Sequence, residues 1–182
     1  MMTTSKITPA RQWKRGAAFT LVELLGVIVV IGILAGITLG AAGAVRRQAA
    51  VGQARAEVTA LEGACTSFFT QNGFYPSSTS ANPTSAFNPA VPNSPYQAAG
   101  QTLFTSLFGT NQFDRPPATK RYFEPKPSMV SSTNTANPYF VDPWGYAYGY
   151  YSDGTNAPLI WSTASQTTQT GTNRWITSWP RN

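Results

Sequence analysis

FTLVELLGVIVVIGILAGITLGAAGAV, residues 19–45, decides how this chain is built. Only Thr20, Glu23 and Thr38 carry polar side chains within it. A helix of that length rises roughly 40 Å at about 1.5 Å per residue, enough for a bilayer core of about 30 Å. Basic residues stand on both sides: Lys6, Arg11, Lys14 and Arg15 before it, Arg46 and Arg47 after it. The N-terminal side carries more of them, so the positive-inside rule predicts a cytoplasmic N-terminus and an exported C-terminal part.

Charge and composition narrow the function. The chain has 182 residues and a net charge of +6 from 13 Lys and Arg against 7 Asp and Glu. Four of those cations lie in residues 1–18, where no acid lies, so the remainder carries +2. That leaves no basic stripe to track phosphates, and no nucleic-acid partner is expected. There is no histidine and one cysteine, Cys65. This excludes a His-containing catalytic triad, His-built metal sites and an intrachain disulfide. No enzyme is expected, and no catalytic residue is assigned.

Three readings of the apolar run compete. A secretory signal peptide could be cut after Ala44, at Ala42-Gly43-Ala44, but its apolar region is ordinarily 7–15 residues. A plain transmembrane anchor leaves Glu23 unexplained. A carboxylate in an apolar span costs on the order of 3 kcal/mol and marks function by default. The third reading accounts for it. Ala18-Phe19-Thr20-Leu21-Val22-Glu23-Leu24-Leu25, after a short basic leader, resembles the processing and methylation motif of type IV pilins and type II secretion pseudopilins. The resemblance implies that a prepilin peptidase cuts between Ala18 and Phe19 and methylates the new amino group of Phe19. The family usually has Gly before the cut; here it is Ala18.

Cleavage would create a partner for Glu23. A free α-amino group has a pKa near 8 and is largely charged at neutral pH. That cation and the helix dipole both favour a carboxylate in the first turn. Glu23 could meet the amine of its own chain or of a neighbour. The family resemblance implies the second, which sets axial register between subunits. Gly32, Gly36 and Gly40 fall on one helix face, a spacing that lets membrane helices approach closely. The proline that many family members have near Gly40 is missing.

Beyond Arg47, Val51, Ala54, Val58, Leu61, Cys65 and Phe68 recur three and four apart, the stripe of an amphipathic helix. Asn72-Gly73 and Pro76 signal its end. Cys65 lies on the stripe and reads as a packing residue. Residues 77–101 are rich in Ser, Thr, Asn and Pro and read as a surface loop without a core. Thr102–Phe108 reads as a short helix, and residues 115–126 as a charged loop.

Asp142-Pro143-Trp144-Gly145 is a turn signal, and Tyr146, Tyr148 and Tyr150 alternate as on one face of a strand. A reversal at Ser152-Asp153-Gly154 leads into residues 158–162, and residues 175–179 supply a third strand. Asp142, Pro143, Trp144, Gly145, Tyr148 and Tyr150 together resemble the strand entry of the major pseudopilin. In that family the loop between the last two strands often holds calcium. Here residues 163–173 contain no Asp or Glu. Calcium needs several oxygens with net negative charge, so no metal or cofactor is expected.

The expected fold is α+β and pilin-like, a long N-terminal helix on a small antiparallel sheet. Its parts are a cleaved leader (1–18), a transmembrane and assembly helix (19–45), its amphipathic continuation (46–72), a variable loop region (73–140) and a C-terminal sheet (141–182). The resemblance implies a structural subunit of a periplasmic pseudopilus of type II secretion. The alternatives are a subunit of a surface type IV pilus (adhesion, motility or DNA uptake) and a membrane-anchored exported enzyme or binding protein. Expected partners are a prepilin peptidase, copies of itself and other pilin-like subunits, an inner-membrane assembly platform and membrane lipid. The expected location is a single pass of the inner membrane with a periplasmic head, then an extracytoplasmic filament.

Overall fold

The structure, a computed structural model, describes residues 19–83, 88–91, 94–167 and 174–180, apart from the side chains of residues 38–42. The leader, with Ala18, lies outside the described residues.

Helix α1 runs Leu21–Asn72. The chain divides into two compact units, Met1–Gly43 and Ala44–Asn182. In the first unit, every large apolar side chain from Phe19 to Ile37 is between 50% and 81% exposed. No side of this helix is polar enough to favour water over lipid or another helix. Among the described residues no helix is long and apolar enough to cross a membrane. Residues 21–37 rise about 26 Å, short of the bilayer core of about 30 Å. The expected span over 19–45 also includes residues 38–42, whose side chains lie outside the described residues.

The second unit holds the core. Ala54, Val58, Leu61, Ala64 and Cys65 of α1 are buried in it, with Val51 and Phe68 packed at its margin. The expected stripe is therefore the face that packs. Helix α1 ends where Asn72-Gly73 predicts, with the Gly73 N–H donating to Phe69 O at 2.8 Å.

Helix α2 covers Pro95–Phe108, with Ser94 at its N-cap position and Gly109 closing it in the left-handed region at φ 84°. It begins seven residues earlier than the helix expected at Thr102. Its first turns bury Tyr96, Ala99 and Gly100, and Ala81 is also in the core. Residues 77–101 are thus partly core and not a bare surface loop. Ser94-Pro95 carried the signal, since proline suits the first helical position.

Strands β1 (Gly149–Tyr151), β2 (Leu159–Ser162) and β3 (Ile176–Thr177) form an antiparallel sheet in the order β1-β2-β3. Gly149 pairs with Trp161, and Trp161 with Thr177. Helix α2 packs on β1. The core is aromatic, as a small head needs: Tyr96, Phe104, Phe108, Phe140, Tyr148, Tyr150 and Trp161 are all fully buried. The α+β arrangement of a long helix on a small sheet is as expected.

Candidate functional site

At the start of α1, Thr20 and Glu23 hold one another. The Thr20 N–H donates to Glu23 Oε2 at 3.0 Å and the Thr20 hydroxyl to the same oxygen at 2.8 Å. The Glu23 N–H donates back to Thr20 Oγ1 at 3.2 Å. This is a capping box, which satisfies helix N–H groups that have no intrahelical acceptor. The Thr-x-x-Glu spacing was its signal, and sequence reasoning passed over it. Glu23 therefore has a local role besides the register role expected of it. Phe19, the expected N-methylated residue, is 78% exposed beside the box.

Gly32 and Gly36 face open space: a Cβ on either would meet nothing within 4 Å. Among the described residues no contact requires a glycine there. The side of Gly40 lies outside the described residues.

The head motif builds a buried polar hub. Asp142 is 2% exposed. Its Oδ1 accepts from the N–H groups of Trp144 and Tyr146, both at 3.0 Å. Its Oδ2 accepts the Ser162 hydroxyl at 2.6 Å. The Ser162 oxygen in turn accepts the Ala164 N–H at 3.0 Å. Gly145 closes the turn in the left-handed region at φ 85°, its N–H reaching Asp142 O at 2.8 Å. One carboxylate thus fixes the turn and ties it to the end of β2. Burial pushes the Asp142 carboxyl up, and its hydrogen bonds oppose that shift.

The tyrosines divide their work. Tyr146 belongs to the turn and not to a strand face, because its N–H and C=O both pair with Asp142. Tyr148 precedes β1, and its hydroxyl donates to Glu57 Oε2 of α1 at 2.6 Å. Burial and the Glu57 acceptor push that hydroxyl well above its usual range, so it stays a donor. The Tyr150 hydroxyl donates to Pro76 O just past the end of α1. Tyr148 and Tyr150 thus tie the sheet to two points along the chain. Glu57 and Ser162 were not singled out in the sequence, and Pro76 stands there as a helix-end signal, not as the acceptor of Tyr150.

Cys65 is fully buried. Burial, opposed by the Tyr150 hydroxyl, pushes its thiol up to about 12 from 9.0. A thiolate is the reactive form, so Cys65 is expected to resist alkylation at pH 8 until the head unfolds, as thiol titration with and without urea would register. The sign for stability follows. The folded pKa is raised, so the contribution is complete below pH 9 and is lost as pH rises towards 12. The thiol's share of that loss is about 3 kcal/mol by pH 11. Cys65→Ala is expected to flatten the alkaline slope of stability; equal slopes would contradict this burial.

Residues 13–39 match the family model described as the prokaryotic N-terminal methylation motif. The match spans Ala18, Phe19, Glu23, Gly32 and Gly36. Neither the curated proteins nor the solved structures gave a match to the chain.

Proposed function

We propose, for a chain that this motif marks as a type IV pilin-like or pseudopilin family protein, a structural subunit of a type II secretion pseudopilus. The motif implies processing by a prepilin peptidase and assembly into a pilin-like filament. The observation that carries the reading is an apolar helix exposed all round and headed by Glu23 at the processing motif. Such a surface is stable only in lipid or against other helices. Before assembly the helix rests in the inner membrane, with the leader cytoplasmic and the head periplasmic. After cleavage before Phe19, the amine of one copy meets Glu23 of its neighbour, and Gly32, Gly36 and Gly40 let the helices close on one another. The subunit acts by assembly and not by catalysis.

The Asp142 turn and the lone cysteine support the pseudopilus over a surface pilus. The first resembles the major pseudopilin; the second forbids the disulfide that closes many pilin heads. Deleting the gene tests this directly. Loss of secreted proteins from the medium, with surface filaments retained, is the expected outcome. Loss of surface filaments with secretion intact overturns it in favour of a pilus.

No calcium is assigned to the loop after β2. Its part at residues 163–167 offers hydroxyls, an amide and carbonyls but no carboxylate, and residues 168–173 lie outside the described residues. Calcium and a chelator are expected to leave the melting temperature of the head unchanged. A marked rise with calcium would contradict the assignment.

A further inference from the structure

The head carries a cleft of about 560 Å³ lined by three arginines, Arg47, Arg55 and Arg174. None of the chain's 7 Asp and Glu lines it. The ion pair among the described residues, Arg121 with Glu124, lies elsewhere. Arg47 and Arg55 are eight apart on α1 and so share its face. Like charges gathered on one cleft repel unless an anion joins them.

The other walls are built and held. Trp144 lines the cleft, and Asp142 Oδ1 fixes its N–H. Ser165 and Gln166 form a second lip. That lip is set by Ser162 Oγ on the Ala164 N–H and by the Gln166 N–H on Thr163 O at 2.9 Å. Ala164 and Ser165 are in the left-handed region, at φ 49° and 65°, which costs non-glycine residues about 1 kcal/mol each. The buried Asp142–Ser162 bond therefore holds both lips at once. Behind them Trp175 stacks on Trp161, with centroids 6.0 Å apart.

We infer that this cleft takes the phosphate of an anionic phospholipid headgroup at the bilayer surface. The inference rests on the bilayer placement proposed above. Arg47 is the second residue after the apolar run that ends at Val45, and the headgroup layer is about 5–7 Å deep. Guanidinium forks match phosphate oxygens, and tryptophan favours the interface. A second copy of this chain has few carboxylates to offer instead. Of its seven, Asp142 is buried, Glu23 sits in the apolar run, Glu57 and Glu124 are engaged and Asp153 holds its own turn, which leaves Glu62 and Asp114.

The test uses the full chain in neutral detergent, titrated with short-chain phosphatidylglycerol, short-chain phosphatidylcholine and inorganic phosphate. Phosphatidylglycerol is expected to bind, and Arg47→Gln with Arg174→Gln is expected to weaken it on the order of tenfold or more. Lys120→Gln with Lys126→Gln, the same change in net charge away from the cleft, is expected to leave binding unchanged. Equal melting temperatures of the two double variants establish that the fold is kept. Phosphatidylglycerol binding that ignores the arginines overturns the inference. So does binding of inorganic phosphate without phosphatidylglycerol, or loss of assembly in the arginine variant with lipid binding intact. The binding assay does not depend on cleavage or filament formation, so its failure leaves the subunit reading standing.

Discussion

Gly149→Ala is expected to destabilise the head by about 3 kcal/mol, because a Cβ there has no room. It would lie 2.0 Å from Trp161 Cε2 and within 2.5 Å of two further ring atoms. Gly149 and Trp161 face each other across β1 and β2, so the indole lies over the glycine. The ring cannot swing away. Its Nε1–H donates to the Tyr96 hydroxyl at 3.2 Å. Trp175 stacks on one side, and Tyr96 and Trp179 meet it edge-on. Relief must come from separating the two strands. The melting temperature should fall by about 10 °C. Gly63→Ala is the control: it is helical, with nothing within 4 Å of its Cβ position. It should gain up to about 1 kcal/mol. Equal melting curves for Gly149→Ala and the wild type would contradict the packing of Trp161.

Glu23→Ala is expected to abolish filaments while cleavage before Phe19 continues. The capping role and the proposed register role of this carboxylate must be separated. The capping box uses its oxygen as an acceptor, and loss of such a cap costs about 1 kcal/mol of helix stability. Pairing with a neighbour's amine uses its charge, which is far more valuable in lipid than in water. Glu23→Gln keeps an acceptor for Thr20 and removes the charge. It should fail in assembly as Glu23→Ala does. Thr20→Val removes the hydroxyl of the box but keeps the charge, and should weaken assembly less than either. Filaments at wild-type yield from Glu23→Gln would reduce Glu23 to a helix cap.

The sequence was most informative where the relevant contacts are local. The stripe from Val51 to Phe68 predicts the packed face of α1, because burial at helical spacing leaves a period. Asn72-Gly73 marks its end, and Asp142-Pro143-Trp144-Gly145 marks the turn. The loop assignment across residues 77–101 failed because polar composition hid the helix start at Ser94-Pro95. The pairs that organise the head were not legible for a different reason. Tyr148 with Glu57, Asp142 with Ser162, and Tyr150 with Pro76 join residues far apart in the chain. Only the fold brings them together. The arginine cleft is of the same kind: Arg174 is far in sequence from Arg47 and Arg55, and the three share a wall only in the fold.

Assembly as proposed begins with cleavage before Phe19. Mass spectrometry of the N-terminal peptide, from protein made beside a prepilin peptidase, addresses it most directly. A peptide that begins at Phe19 and carries one added methyl group is the predicted result. A peptide beginning at Met1, Met2 or Val45 would contradict it.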